Sequence, residues 1–228
     1  MKLLAFDTAA NLCSVAVFDV ESGVMLAAIS EDIGKGHAER LMGVIEQTLR
    51  EAGVTLAEIG RIAVSIGPGS FTGVRVGVST ARGFALALDC PAVGVTTLQA
   101  LAFDAARQFS GRPVLSIIDA RRDEVYAQFF QADGRAASPP KVTTLPVVLK
   151  ELANENTIVL SGSGAPLLNE KLGKPLDIAS ITATGSIEAF ARLGAALEDT
   201  KEAPKPLYLR GLDVKPQQGF VMQRKVAE

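Results

Sequence analysis

The sequence has little of what most enzymes use for catalysis. Among its 228 residues there is one histidine, His37. A Ser-His-Asp or Cys-His arrangement would depend on this residue alone. A metal site made of several histidines is excluded, although carboxylate sites are not. His37 begins a predicted helix beside Glu39 and Arg40, where we expect a solvated side chain at a helix end.

Cysteine, basic runs and long apolar runs are also scarce. Cys13 and Cys90 lie far apart and form no Cys-x-x-Cys pair, so a reducing, cytoplasmic setting is expected. The net charge is −2 without a long basic run, which argues against strong nucleic-acid binding by this chain alone. The sequence contains no run of about 20 apolar residues, so no membrane span is predicted. Asp7 interrupts the first apolar residues, which therefore predict a strand rather than a signal peptide.

What the chain does have is apolar content and an internal repeat. Hydrophobic residues make up 48% of it, enough for a sizeable core. A strand ending in aspartate, a polar turn and a second strand occur at 3–19 and again at 114–130. A strand followed by a glycine-rich turn occurs at 62–70 and again at 157–164. These echoes predict two copies of one β-β-β-α-β-α plan. We expect an N-terminal lobe over 1–110, a C-terminal lobe over 111–210 and a polar tail over 211–228.

The segment from 62 to 77 is the most structured part of the sequence. An apolar strand is followed by the turn Gly67-Pro68-Gly69 and then by a helix that runs to about residue 89. Such a unit suggests phosphate binding, because helix N-termini attract anions. The segment lacks the lysine of a P-loop and the G-x-G-x-x-G spacing of a dinucleotide site. A tight structural turn is therefore favoured, and phosphate binding stays the alternative.

Two aspartates stand at equivalent places in the two repeats. Asp7 and Asp119 each end the first strand of a copy. Across a cleft they would suit a hydrated Mg²⁺ and a nucleotide phosphate. The favoured alternative is that each aspartate caps the turn after its own strand. The charge-dense segment Asp119–Glu124 predicts either a solvated hairpin tip or a contact surface for a partner.

Four segments resemble a known family. The run Gly67–Gly77, Gly-Pro-Gly-Ser-Phe-Thr-Gly-Val-Arg-Val-Gly, resembles the signature of the bacterial TsaB proteins. Residues Leu4–Ala9, Asp119–Tyr126 and Pro206–Arg210 match the same family in order, so the resemblance covers nearly the whole chain. It implies an α/β fold of the actin-like, hexokinase-like ATPase class, with two lobes of duplicated ribonuclease-H-like topology. This agrees with the repeat found in the sequence.

The resemblance also implies a function. Family members support formation of N6-threonylcarbamoyladenosine beside the anticodon of tRNA. They bind the paralogous TsaD enzyme, which transfers the threonylcarbamoyl group, and the ATPase TsaE joins the complex. The chain would then be non-catalytic, need no cofactor and meet tRNA only through the complex. Self-association in the partner's absence stays open. The rival hypothesis is a stand-alone glycoprotease-like hydrolase or nucleotide-binding enzyme.

One departure from the paralogous enzyme supports the non-catalytic hypothesis. That enzyme binds metal through a His-x-x-x-His pair shortly after its own Gly-Pro-Gly helix. Here Thr97 and Leu101 stand at the matching positions. Leucine cannot ligate a metal, so we expect no catalytic metal.

We expect the partner surface on the helices at 37–52 and 72–88. On the second helix an apolar stripe faces the sheet and leaves a groove of small residues with an aromatic at one end. On the first helix, three residues beside the core stripe would adjoin it. The surface is predicted to contain Leu41, Val44, Thr48, Gly73, Gly77, Thr80 and Phe84. The alternative is that a neighbouring segment of the same chain covers the groove.

Overall fold

A computed structural model describes residues 1–152, 155–199 and 202–210. The predicted polar tail over 211–228 lies outside the described residues. No helix in the described part is both long and apolar enough to cross a membrane.

The first half of the chain builds a five-stranded sheet. Its strands are β1 (Lys2–Asp7), β2 (Leu12–Asp19), β3 (Val24–Asp32), β4 (Ile59–Ser65) and β5 (Ala92–Val95). Their order is β3-β2-β1-β4-β5. The first three strands pair antiparallel, while β4 pairs parallel with both β1 and β5. The three consecutive strands predicted at the start of the first copy are therefore present, as an antiparallel meander.

The second sheet repeats this plan. Its strands are β6 (Val114–Arg121), β7 (Glu124–Phe130), β8 (Lys141–Thr144), β9 (Val159–Ser161) and β10 (Ile178–Ser180). Counted from its own first strand, its order and strand directions equal those of the first sheet. The predicted duplication is therefore present in the topology, and the chain has the actin-like α/β fold.

In the described part of the chain, six α-helices follow strands at corresponding places of the two copies. They are α1 (His37–Ala52), α2 (Phe71–Leu88), α3 (Thr97–Gln108), α4 (Leu145–Glu151), α5 (Ala165–Asn169) and α6 (Ile187–Ala196), with a 3₁₀ turn at Leu56–Glu58. Local capping explains several boundaries. The Ser70 hydroxyl accepts a hydrogen bond from the Gly73 N–H, and Thr96 and Gln99 cap the start of α3 reciprocally.

One helix of each half packs on the sheet of the other half. Helices α1 and α2 cover one face of the first sheet, and the other face is covered by α6 from the far end of the chain. Phe190 of α6 is fully buried among Leu3, Ala5 and Phe18. In return, α3 packs on the second sheet. The division at residue 110 thus separates the sheets but not their cores, and it stays a prediction.

A buried arginine fastens α6 to the first sheet. The Arg61 guanidinium on β4 donates to the carbonyl oxygens of Gly194, Ala195 and Leu197 at 3.0, 3.1 and 2.9 Å, and it also pairs with Asp199. These are carbonyls that the end of a helix leaves without partners. Strand β4 therefore begins earlier than the apolar pattern predicts, because its charged residue is satisfied by a helix distant in sequence.

Candidate functional site

The glycine turn is held by the chain's own backbone. Gly67 has a φ of 89°, a conformation that favours glycine. A Cβ placed on Gly69 would lie 2.2 Å from the Ala9 carbonyl oxygen. The Ser70 N–H donates to the same oxygen at 2.7 Å. The turn therefore abuts the β1–β2 connection with no space for a side chain.

Two further segments use the polar groups of the turn. Thr97 donates its N–H to the Gly67 carbonyl at 3.0 Å and its hydroxyl to the Pro68 carbonyl at 2.6 Å. The Leu207 N–H donates to the Ile66 carbonyl at 2.8 Å. These contacts give Gly67, Pro68 and Gly69 a structural part at the junction of β4 and α2.

The predicted small-residue groove at Gly73 and Gly77 is filled by another segment of the same lobe. A Cβ on Gly73 would lie 2.0 Å from the Thr8 carbonyl oxygen, and one on Gly77 would lie 2.6 Å from the Thr8 hydroxyl. That hydroxyl donates to the Gly73 carbonyl at 2.7 Å. The structure corrects the predicted partner groove here, because the β1–β2 connection occupies it.

The predicted residues of α1 also face inward. Leu41, Val44 and Thr48 are buried in the core of the first lobe, and the Thr48 hydroxyl donates to the Val44 carbonyl at 2.7 Å. They are the core stripe rather than its flank, so this part of the predicted surface is corrected too. The apolar side chain of Met42 on the same helix is 52% exposed. Of the predicted surface, Thr80 and Phe84 remain half-buried on α2.

The outward side of these helices is different from the one predicted. On α2, four residues share one outward side, which we call the outer stripe: Val76, Thr80, Gly83 and Ala87. A Cβ on Gly83 would meet no atom within 4 Å, and one on Gly43 of α1 would meet only the Arg40 side chain at 3.5 Å. Each glycine destabilises its helix by about 1 kcal/mol relative to alanine. Packing within the described monomer does not require a glycine at either position.

Asp7 is buried and committed to internal contacts. Its carboxylate accepts from the Ala9 N–H at 2.8 Å and from the Thr184 hydroxyl at 2.8 Å. Burial raises the pKa of Asp7, while hydrogen bonds from Ser65, Ala9 and Thr184 oppose the rise. The hydroxyl of Thr184 ties the first strand to the loop before α6, a contact that no local sequence signal announces.

Asp119 repeats the turn contact of Asp7 but remains exposed. It accepts from the Arg121 N–H at 2.8 Å, two residues along, as Asp7 does from Ala9. The favoured interpretation of both aspartates as turn caps agrees with these bonds. At the hairpin tip, Arg121, Arg122 and Asp123 all have φ between 55° and 63°.

The two positions that match the metal-binding histidines of the paralogous enzyme are buried. Thr97 and Leu101 are each 0% exposed, and Leu101 packs in the core between α3 and the second sheet. His37 is also buried, with its Nε2 3.2 Å from the Leu12 carbonyl oxygen, so the expectation of a solvated histidine is wrong. The bond crosses from α1 to β2, which a helix-end position does not reveal. Within the described ranges, no three His, Cys, Asp or Glu residues are grouped for a metal ion.

Comparison with known proteins identifies the family. The tRNA threonylcarbamoyladenosine biosynthesis protein TsaB of Escherichia coli is 37% identical over 162 residues, 71% of this chain and 68% of that protein. The chain belongs to the TsaB family. A model of the family described as TsaD, tRNA N6-adenosine threonylcarbamoyltransferase, matches residues 29–191 as well. For the Haemophilus influenzae TsaB, the matched part spans 52% of that protein.

Solved structures include proteins similar to this TsaB-family chain. An uncharacterised Pseudomonas aeruginosa protein, described as similar to peptidase YeaZ, has a TM-score of 0.80 at 32% identity over 92% of this chain and 99% of that chain. The ethanolamine utilization protein EutJ of Carboxydothermus hydrogenoformans has a TM-score of 0.50 at 11% identity, over 86% of this chain and 89% of that chain. The second likeness shows the fold alone.

Proposed function

We propose that this TsaB-family chain is a non-catalytic partner of a TsaD-type enzyme in forming N6-threonylcarbamoyladenosine on tRNA. The TsaB relatives of Escherichia coli and Bacillus subtilis are named for the biosynthesis of this nucleoside. A TsaE-type ATPase joins the assembly, and tRNA is reached through the complex. The expected location is the cytoplasm, where tRNA is modified.

The burial of Thr97 and Leu101 carries the non-catalytic part of the proposal. The resemblance puts these residues where the paralogous enzyme has its metal-binding histidines. The Thr97 hydroxyl donates a hydrogen bond to the Pro68 carbonyl oxygen, and Leu101 is a core residue. Changing both to histidine would not recreate an open site, because neither position faces solvent.

The outward sides of α1 and α2 support a docking surface for the enzyme. Gly43 and Gly83 are exposed, cost helix stability and have room beside them. A partner helix can approach the backbone closely at such positions and pack ridge into groove. Met42 and the half-buried Phe84 supply apolar area, and Phe84 is the anchor expected to contribute most.

The test replaces Gly83, where the monomer tolerates a side chain. Gly83→Arg fills the space meant for the partner and should abolish co-elution with the TsaD-type enzyme on size-exclusion chromatography. Gly83→Ala is the matched control, which should still assemble and be more stable by about 0.5–1 kcal/mol. Circular dichroism verifies the fold of both variants.

The same proteins decide the broader function. The wild-type chain, the enzyme and the ATPase together should modify tRNA, and Gly83→Arg should lose this support. If Gly83→Arg and Met42→Glu both assembled and supported modification normally, the surface would be misplaced. The rival hydrolase is tested by a peptidase assay and an ATP titration of the chain alone, and activity in the former would overturn the proposal.

A further inference from the structure

A second exposed side of α2 carries basic and apolar residues. We call it the basic ridge, and its members follow the spacing of one helix side: Phe71, Arg75, Ser79, Arg82 and Leu86. All are exposed, Phe71 at 53% and Leu86 at 87%. The ridge lies on a different side of α2 from the outer stripe, so the two can be occupied together.

The positive charges of the ridge have no counterion among the residues that the structure describes. Helix α2 contains Arg75 and Arg82 but neither Asp nor Glu. No carboxylate of the described residues pairs with either arginine. Other arginines, such as Arg40, Arg107 and Arg112, do form ion pairs. The ridge thus presents two cations that an anionic ligand can neutralise.

Arg75 is held in one orientation by two aromatic rings. Its guanidinium carbon lies 3.6 Å from the Phe71 ring centre and 5.5 Å from the Tyr208 ring centre. Its Nε donates to the Tyr208 hydroxyl at 2.8 Å, which leaves the two terminal nitrogens for a ligand. Because the side chain is already ordered, binding an anion there loses little conformational entropy.

The other end of the ridge opens into a hollow. It has a volume of about 290 Å³ and is lined mainly by small and apolar residues. The lining consists of Arg82, Ala85, Leu86, Cys90, Pro91, Ala92, Glu202 and Ala203. The acid in this lining, Glu202, is paired with Lys205 at 3.0 Å. The hollow is suited to an apolar side chain beside the Arg82 cation.

We infer that the basic ridge binds an acidic amphipathic helix of a protein partner. Arg75 and Arg82 are seven residues apart, which is about 10.5 Å along a helix. Two carboxylates separated by two turns on an adjacent helix have the same spacing. An apolar residue one turn beyond them reaches the hollow. This inference goes beyond the proposed function, because it concerns a second partner on a separate face.

The number of charges favours a protein over RNA. Two phosphate contacts give a shallow salt dependence and weak binding, and the chain's net charge of −2 opposes a polyanion. A helical partner gains from the two ion pairs and from burying Phe71 and Leu86 as well. The mixture of two cations with apolar ends therefore matches an amphipathic helix.

The test uses a fluorescein-labelled, alanine-based helical peptide. It carries two glutamates two turns apart and a leucine one turn beyond each, so that either direction fits. The comparison probes are the same peptide with glutamines and a single-stranded oligouridine. Fluorescence anisotropy should show binding of the glutamate peptide and at least about tenfold weaker binding of the glutamine peptide.

Variants of the ridge complete the experiment. Arg75→Gln combined with Arg82→Gln should weaken binding of the glutamate peptide about tenfold, while Arg121→Gln at the exposed hairpin tip should leave it unchanged. Leu86→Asn should weaken it several-fold. Arg82→Glu should weaken binding of the glutamate peptide more than Arg82→Gln does, because it adds repulsion between like charges.

Within the described residues, Arg82 makes no hydrogen bond, ion pair or ring contact. The Arg82 variants therefore remain informative if loss of Arg75 loosens Tyr208. Equal binding of the glutamate and glutamine peptides, or no binding of either, would overturn the inference. So would oligouridine binding that falls in the double variant, since RNA would then be the ligand.

Discussion

Asp7 places a carboxyl group in the interior, and no arginine or lysine of the described residues forms an ion pair with it. Hydroxyl and amide donors hold it instead, from Ser65, Ala9 and Thr184. Because burial raises its pKa above the ordinary value of 3.8, the folded protein holds the proton more readily than the unfolded chain does. The sign of its effect on stability follows from that difference.

The stability contributed by Asp7 should fall as pH rises. It is fully present below about pH 3.8 and is lost as pH rises through the higher pKa of the folded state. Asp7→Asn removes this loss, so its free energy of unfolding relative to wild type should increase from about pH 4 to pH 7. Urea unfolding of both proteins across this range measures it.

An exposed aspartate provides the control of opposite sign. Hydrogen bonds from the backbone of Glu21 and Ser22 lower the pKa of Asp19, so its stabilisation is lost as pH falls. Asp19→Asn should therefore become less stable relative to wild type as pH rises. If the two variants showed the same slope, the assignment to Asp7 would be incorrect.

Individual residues mark the limit of sequence-based prediction. The glycines Gly73 and Gly77 correctly indicate that something packs against the α2 backbone, but periodicity cannot say that it is Thr8. The exposed Gly43 and Gly83 are visible in the sequence only after the buried side of each helix is known. Thr184 gives no signal, because its bond to Asp7 joins residues 177 positions apart.

At the scale of elements, α2 is docked on the β1–β2 connection through backbone contact. The Ala9 carbonyl accepts from Ser70 and touches Gly69, and the Thr8 hydroxyl reaches Gly73. A helix start seated this closely has a fixed position relative to the sheet. Any side chain inserted there must move one of the two elements.

Gly69→Val should lower the free energy of unfolding by about 1–3 kcal/mol. The reason is steric, because a Cβ at Gly69 would lie 2.2 Å from the Ala9 carbonyl oxygen. Backbone strain is not the cause, because Gly67 has a positive φ in this turn but Gly69 does not. Urea unfolding measures the loss, with Gly83→Val as the control, because a Cβ at Gly83 meets no atom within 4 Å. A Gly69→Val protein of full stability with a lost ATP affinity would instead favour the phosphate-binding alternative.

Element boundaries were predictable where one side of the element is apolar. The periodicity and Gly53 give α1 its observed bounds, His37–Ala52, and alternation gives β7, Glu124–Phe130. Strand β8, Lys141–Thr144, has no strand signal in its own residues, since only one of them is apolar and the strand depends on pairing with β7. Strand β10, Ile178–Ser180, is similarly short and exists through its parallel pairing with β9.

At the scale of the molecule, each sheet is covered on one face by a helix from the other half of the chain. The echoed strands and turns reveal the two copies, but not which helix covers which sheet. That depends on the last described helix, whose Gly194 lies against Ala63 so closely that a Cβ would come within 2.3 Å. The exchange makes the halves mutually dependent.

A fragment of residues 1–110 should not fold by itself. Its sheet would expose the face that Phe190 and Ile187 cover, and its α3 would lose the second sheet. We expect strong binding of a hydrophobic dye and no cooperative urea transition. Residues 1–95 joined by a Gly/Ser linker to 184–199 restore the covering helix and should unfold cooperatively. Cooperative unfolding of 1–110 alone would instead make the predicted lobe boundary a true domain boundary.

The borrowed helix also sets a delay during protein synthesis. The first sheet is complete when Val95 leaves the ribosome, but α6 begins at Ile187, roughly 90 residues later. At about 5–20 residues per second, the apolar face that includes Leu3, Ala5 and Phe18 waits on the order of 5–20 s for its cover. We therefore expect nascent chains of this protein to expose apolar surface to ribosome-bound chaperones throughout that interval.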